Sequence, residues 1–162
     1  MHTEIERKFL VTGEFKQFAY HHSHIEQGYF ATDPGRTVRI RIRDEKAYLT
    51  IKGPSVNEGL SRYEFETEIP VDDAKMMMTM CMPGQIVKDR YLIRSGKHIV
   101  EVDEFAGDNE GLVIAEIELE SEDEAYMKPD FLGKEVTGDV RFYNKYLSKH
   151  PYNSWNDTDK KL

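Results

Sequence analysis

The stretch Thr37-Val38-Arg39-Ile40-Arg41-Ile42-Arg43 places an arginine at every second position. In a β-strand, residues i and i+2 lie on the same face, about 6.6 to 6.8 Å apart along the strand. The stretch therefore predicts a strand with one apolar face and one face made of three arginines.

Seven other strands are predicted, and nearly all of them show the same alternation of charged and apolar residues. These strands cover residues 4–6, 25–30, 47–52, 63–69, 86–93, 98–105 and 112–120. The charges are segregated by sign, since residues 64, 66 and 68 are all glutamate. A face that is merely exposed to water should mix signs, because like charges on neighbouring positions repel. We therefore predict that the charged faces line the inside of a barrel, in preference to a wet outer surface.

The sequence predicts an α+β fold in which about eight strands form a barrel with helices on its outer side. Helix signals lie at residues 15–18, at the methionine-rich run 74–82, at Ser121 with Glu124, and at 140–149 after Asp139. Glu4-Ile5-Glu6 recurs as Glu64-Phe65-Glu66, an offset of 60 residues, which indicates duplicated β-α-β-β-β units. We expect one domain over residues 1–151 and a loose polar tail over 152–162.

Charge and cysteine content exclude several classes of protein. Lysine and arginine number 22 against 30 aspartate and glutamate, a formal net charge of −8. This balance argues against nucleic acid or a membrane surface as a partner, because both need a positive field. The one cysteine, Cys81, excludes an internal disulfide, and the charged N-terminus lacks the apolar run of a secretory signal. A cytoplasmic protein is expected, with its oligomeric state open and a homodimer as the candidate assembly.

A barrel lined with charge cannot have a dry interior, because unpaired buried ions cost several kcal/mol each. Rows of arginine and lysine suit phosphate groups. Rows of carboxylates suit hard divalent cations. A chain of phosphates that carries Mg²⁺ or Mn²⁺ satisfies both kinds of row.

The ordered blocks of this sequence resemble the CYTH superfamily, also called triphosphate tunnel metalloenzymes. The opening E-x-E-x-K signature, Glu4 to Lys8, carries most of the resemblance. Further matching blocks are residues 27–30, 38–43, 48–53, 63–66, 87–91, 101–105, 111–112, 115–119, 133–137 and 141–144. The resemblance implies a closed eight-stranded antiparallel β-barrel that encloses a tunnel. It also implies metal-dependent hydrolysis of the terminal phosphoanhydride of triphosphates, with inorganic tripolyphosphate as substrate and nucleoside triphosphates as weaker ones.

The resemblance also implies roles for eleven residues. Lys8 and Tyr29 match a catalytic dyad. Residues that would bind phosphate are Arg39, Arg41, Lys52, Lys88 and Arg90, and residues that would bind Mg²⁺ or Mn²⁺ are Glu4, Glu6, Glu116 and Glu118. Lys8 acts either as a base, if neighbouring cations lower its pKa, or as a protonated phosphate ligand beside Glu4 and Glu6.

Two alternatives to an inorganic triphosphatase stay open. One is another enzyme of the family, a class IV adenylyl cyclase or a thiamine triphosphatase, and the other is a non-catalytic binder of polyphosphate or nucleotide. Four further acidic residues are expected to orient arginine and lysine side chains and not to bind the metal ion: Glu64, Glu66, Glu101 and Asp103. His21, His22 and His24 are expected in an exposed turn, and Cys81 on the core side of a helix.

Overall fold

The structure is a computed structural model that describes residues 3–160, without the side chain of Asp159; both ends of the predicted 1–162 span lie outside it. The strands are β1 (Thr3–Val11), β2 (Ala19–Tyr29), β3 (Thr37–Arg43), β4 (Lys46–Lys52), β5 (Ser61–Ile69), β6 (Ile86–Ser95), β7 (His98–Phe105), β8 (Val113–Glu118) and β9 (Leu132–Glu135). The helices are α1 (Val71–Met78), α2 (Asn144–Lys149) and α3 (Asp157–Lys160), with 3₁₀ turns at Lys16–Phe18, Gly107–Asn109, Val140–Phe142 and Tyr152–Ser154.

Eight of the strands close into an antiparallel barrel, which confirms the predicted fold class. The strand order is β5-β4-β3-β2-β6-β7-β8-β1, and β1 pairs with β5 to close the ring. In that closing pair, Thr3 lies opposite Tyr63 and Ile5 opposite Ser61. Strand β9 pairs with β1 on the edge opposite β8, beyond the residues of β1 that pair with β5. Strand β9 was not predicted, because four residues that include a glycine carry no alternation.

The chain order repeats as predicted. The first half runs β1, a 3₁₀ turn, and β2 to β4, and the second half runs β5, α1, and β6 to β8. The predicted helical segment at 15–18 is only the single turn Lys16–Phe18. No helix of the described chain is long and apolar enough to cross a membrane.

Three local predictions were wrong. Residues 121–124 form a turn instead of a helix, and Glu124 Oε1 accepts a hydrogen bond from the Glu120 backbone N–H. The predicted helix 140–149 is interrupted at Tyr143, which has extended backbone angles (φ −78°, ψ 136°). The three histidines of residues 21–24 lie exposed on β2, because pairing with β6 extends that strand beyond its apolar part.

The apolar faces of the strands point outward and are covered in part by other elements. Helix α1 packs Ala74 and Met78 on Ile40 of β3 and Ala47 of β4. Gly28 allows the close approach of the residues after this helix, since a Cβ there would lie 2.8 Å from Met78 Sδ. Cys81 follows the helix in a bend and is partly buried.

An apolar cluster fills one end of the barrel interior. Inward-facing residues of four strands form it together with the C-terminal segment: Tyr29, Ile86, Phe105, Ile114, Phe142, Leu147 and Trp155. The sequence suggested a loose tail from residue 152, whereas the structure packs the Trp155 ring 5.6 Å from that of Phe142. The indole N–H donates to the backbone carbonyl of His150. Residues 161 and 162 of the predicted tail lie outside the described residues.

The packing of Trp155 gives a stability prediction. Replacing Trp155 with alanine removes a ring that is 9% exposed and should lower the free energy of unfolding by about 3 kcal/mol. Urea unfolding followed by circular dichroism measures the change. Met76→Ala is the control, because Met76 is 65% exposed on α1 and should shift stability by less than about 0.5 kcal/mol. Equal unfolding midpoints for both variants would show that the C-terminal segment does not stabilise the barrel.

Candidate active site

The inward faces of the strands surround a cavity of about 740 Å³. All eleven residues with predicted roles line it: Glu4, Glu6, Lys8, Tyr29, Arg39, Arg41, Lys52, Lys88, Arg90, Glu116 and Glu118. They come from six strands, and the pairing of these strands sets the position of each residue along the barrel axis. Tyr29 lies opposite Arg39, and Lys8 lies opposite Glu116. The predicted charged interior is therefore present as a continuous lining.

Arg41 is the buried cation of this lining that has the weakest counter-charge. Its Nε–H donates to Gln27 Oε1 at 2.9 Å, and it forms no ion pair with any described residue. Burial, together with Arg39 and Arg90, lowers the pKa of Arg41 to about 9. The neighbouring Arg39 contacts Glu66 at 3.3 Å, but its buried Nε–H has no hydrogen-bond partner. These two guanidinium groups are available to an anion in the cavity.

Lys88 and Arg90 share one carboxylate. Asp103 Oδ2 accepts a hydrogen bond from Lys88 Nζ at 2.7 Å, and both oxygens of Asp103 accept from Arg90. Burial lowers the pKa of Lys88 to about 7, although Asp103 opposes the shift. Asp103 alone therefore does not neutralise both cations. Glu101 contacts Arg90 from the side at 3.1 Å.

Lys8 is held from three sides. Its Nζ donates to the Phe142 carbonyl at 3.2 Å, lies 3.6 Å from Glu116 Oε1, and sits 4.7 Å from the centre of the Tyr143 ring. Burial alone would lower the pKa of Lys8, but Glu116 and Glu6 outweigh it and raise the pKa above its usual value. A protonated Lys8 can donate hydrogen bonds to phosphate.

The tyrosine in contact with Lys8 is Tyr143, a residue without a predicted role. Tyr29 belongs to the apolar cluster, and its hydroxyl accepts a hydrogen bond from Gln27 Nε2 at 2.8 Å. Sequence reasoning also gave no role to Gln27 or Asn144, which contact the cavity cations. The signal was present, since residues 27–30 and 141–144 are blocks of the family resemblance.

The carboxylates gather on the opposite side of the cavity. Glu4 forms an ion pair with Lys52 at 3.0 Å. Burial alone would raise the pKa of Glu4, but Lys52 and a hydrogen bond from Glu64 outweigh it and lower the pKa to about 2. Burial and the contact with Glu4 raise the pKa of Glu64 to about 7. Burial and the neighbouring Glu116 raise the pKa of Glu6 well above its usual value. Carboxylates this close favour a shared proton or a shared cation between them.

The donor set suits a hard divalent cation. Glu4, Glu6, Glu116 and Glu118 offer only oxygen, the atom that Mg²⁺ and Mn²⁺ prefer. Among residues 3–160, no three acidic, histidine or cysteine side chains converge in a way that would hold a metal by themselves. Mg²⁺ does not need three, because it usually binds one or two carboxylates, several waters and the phosphates of a substrate. The Glu6 and Glu116 pair therefore fits the ion.

Comparison with known proteins identifies the family. The CYTH domain model matches residues 2–143. The chain belongs to the CYTH family. Membership of this family implies a divalent metal ion.

Two relatives with curated functions align with this chain along nearly their whole length. The inorganic triphosphatase of Acetivibrio thermocellus is 44% identical over 158 residues, which cover 97% of this chain and 100% of the relative. The inorganic triphosphatase of Nitrosomonas europaea is 37% identical over 154 residues, which cover 90% and 97%. A crystal structure of the inorganic triphosphatase NE1496 superimposes with a TM-score of 0.65 at 33% identity, covering 91% of this chain and 95% of that one.

The CYTH cavity of this chain can position a phosphate chain and stabilise its charge. Phosphoryl transfer asks a protein mainly for these two contributions. Arginines supply forked N–H donors and lysines supply point charges along the phosphates. A bound divalent cation would neutralise phosphate oxygens and lower the pKa of a coordinated water.

The isolated charge of Arg41 predicts opposite effects of one substitution. Arg41→Met removes a buried, poorly compensated cation, so the melting temperature without ligand should stay equal or rise. The affinity for tripolyphosphate in EDTA should fall by about tenfold or more, because charge-assisted hydrogen bonds to phosphate are lost. Differential scanning fluorimetry and calorimetric titration measure the two quantities.

Arg94→Met is the matched control, because Arg94 is exposed, contacts the Tyr20 ring and lies outside the cavity lining. It should leave the tripolyphosphate affinity unchanged. Equal affinities of the Arg41→Met and wild-type proteins would exclude Arg41 from the anion site.

Proposed function

We propose that this protein is a metal-dependent triphosphatase that hydrolyses the terminal phosphoanhydride of inorganic tripolyphosphate. Nucleoside triphosphates are weaker substrates in this proposal, and the ion is Mg²⁺ or Mn²⁺. Glu4, Glu6, Glu116 and Glu118 would hold the ion. The phosphates would lie against the cationic wall.

The observation that carries the proposal is the pairing of a cationic wall with a carboxylate wall across one enclosed cavity. Among residues 3–160, Arg41 forms no ion pair and the buried Arg39 Nε–H has no hydrogen-bond partner, while burial and the neighbouring Glu116 and Glu4 raise the pKa of Glu6. A phosphate chain supplies the missing anion, and its metal ion supplies the missing cation. The two curated relatives, both inorganic triphosphatases, support the same substrate.

Phosphate release from a substrate panel tests the proposal. The panel contains tripolyphosphate, ATP, GTP, thiamine triphosphate and pyrophosphate, each with Mg²⁺, Mn²⁺ or EDTA. We expect rapid, EDTA-sensitive release from tripolyphosphate and slower release from the nucleotides. Lys8→Ala should lower kcat by at least about 10²-fold, because a preorganised cation that faces developing charge is removed.

Other outcomes of the panel would contradict the proposal in distinct ways. Cyclic AMP and pyrophosphate from ATP would assign a cyclase. Preference for thiamine triphosphate would assign a thiamine triphosphatase. Binding of every triphosphate without release of phosphate would assign a non-catalytic binder.

Glu118 provides a test of the metal ligands. Burial and the neighbouring Glu4 and Glu101 raise the pKa of Glu118, although Lys52 opposes the shift. Glu118→Gln should raise the Mg²⁺ concentration for half-maximal activity by about tenfold, since an anionic oxygen ligand is replaced by a neutral one. A metal titration of tripolyphosphate hydrolysis measures this shift.

Glu120→Gln is the control for that titration, because the exposed Glu120 lies outside the main cavity. Identical titration curves for Glu118→Gln and Glu120→Gln would remove Glu118 from the set of metal ligands.

A further inference from the structure

Asn144 is the first residue of α2, and its side chain reaches into the barrel. Its Oδ1 accepts hydrogen bonds from Lys88 Nζ at 2.8 Å and from Gln27 Nε2 at 3.1 Å. Both donors are almost fully buried, with Lys88 at 1% and Gln27 at 0% exposure. One carbonyl oxygen from outside the strands therefore orients two groups that face the cavity.

Gln27 connects Asn144 to Arg41 through hydrogen bonds to both residues. Its two N–H groups are both used, one toward Asn144 Oδ1 and one toward the Tyr29 hydroxyl. Its Oε1 is then the only atom of the amide left to accept, and it receives Arg41 Nε–H at 2.9 Å. A flipped amide would place its oxygen against Asn144 Oδ1 and its N–H against Arg41. Asn144 thus determines which way Gln27 points, and through it where Arg41 is held.

The start of α2 is placed so that this contact forms. Tyr143 breaks the helical path between Val140–Phe142 and α2 with extended backbone angles. The residues on either side of Tyr143 then both face buried lysines. Phe142 carbonyl accepts from Lys8 Nζ at 3.2 Å, and Asn144 accepts from Lys88.

We propose that Asn144 is a positioning residue for the phosphate-binding wall. It holds Lys88 directly and Arg41 through Gln27, so that two cations from different strands keep one fixed spacing. The consequence for turnover rests on the proposed triphosphatase function, whereas the positioning of Arg41 does not.

The positioning is tested first without any substrate. NMR hydrogen exchange of the Arg41 Nε–H in the full chain is the readout, because a buried, hydrogen-bonded N–H exchanges slowly. Asn144→Leu should accelerate its exchange at least about tenfold while backbone amides of the barrel stay protected. Asn144→Asp keeps an acceptor oxygen and should preserve slow exchange. Asn153→Leu is the control, since Asn153 is an exposed asparagine of the same C-terminal segment.

Two results would overturn the positioning role: slow Arg41 exchange in Asn144→Leu, or exchange in Asn144→Asp as fast as in the leucine variant. If Asn144→Leu loses backbone protection throughout, Asn144→Ala replaces it. Alanine removes the acceptor and leaves room for water, so a folded Ala variant with slow Arg41 exchange would contradict the proposal equally.

Steady-state kinetics on tripolyphosphate test the consequence. Asn144→Leu should raise KM about tenfold with a smaller change in kcat, because the two cations bind phosphate in the ground state and in the transition state alike. A fall in kcat at constant KM would contradict this consequence. If the wild-type protein neither binds nor hydrolyses tripolyphosphate, the proposed function fails, and the exchange experiment still decides the role of Asn144.

Discussion

The pairing of β1 with β5 is the constraint on which the site depends. Three residues of each strand, Thr3–Ile5 and Ser61–Tyr63, close an eight-stranded sheet into a ring. Closure gives the inward faces of all eight strands one shared interior, and it brings Glu4 next to Lys52 and Arg62. In an open sheet the same residues would face water, where ion pairs contribute little and no enclosed cavity exists.

Closure of the barrel places like charges close together. Ion pairs neutralise some of these charges and leave others without a counter-charge in the described chain. Asp103 neutralises Arg90 and part of Lys88, and Glu66 pairs with Arg39. Arg41 Nε–H donates to an amide oxygen, and Arg41 forms no ion pair with a carboxylate among residues 3–160. The lowered pKa values of Arg41 and Lys88 and the raised pKa of Glu6 report the same imbalance. Perturbed groups of this kind concentrate where a charged ligand completes the site.

The C-terminal segment completes the barrel in two ways. Its apolar residues Phe142, Leu147 and Trp155 fill one end of the interior, so the cavity is bounded by a hydrophobic floor. Its polar groups at Phe142 and Asn144 contact the two buried lysines. Packing and cation orientation thus depend on the same short stretch of chain. Sequence reasoning treated part of that stretch as a tail, because a single tryptophan among polar residues shows no periodicity.

The sequence alone determined the strands and the charge of each face, because a period of two fixes the side of a strand on which every residue lies. The Arg39 to Arg43 alternation and the Glu4-Ile5-Glu6 repeat were sufficient for a barrel with a charged interior. Only the tertiary structure decided which charges meet, because strand register pairs residues far apart in the chain. In the tertiary structure, Asp103 pairs with both Lys88 and Arg90, and the Tyr143 ring contacts Lys8. Asn144 is hydrogen-bonded to Gln27, which lies 117 positions away in the sequence. No local pattern encodes these contacts, since each depends on how strands pair and on how the C-terminal segment packs against the barrel.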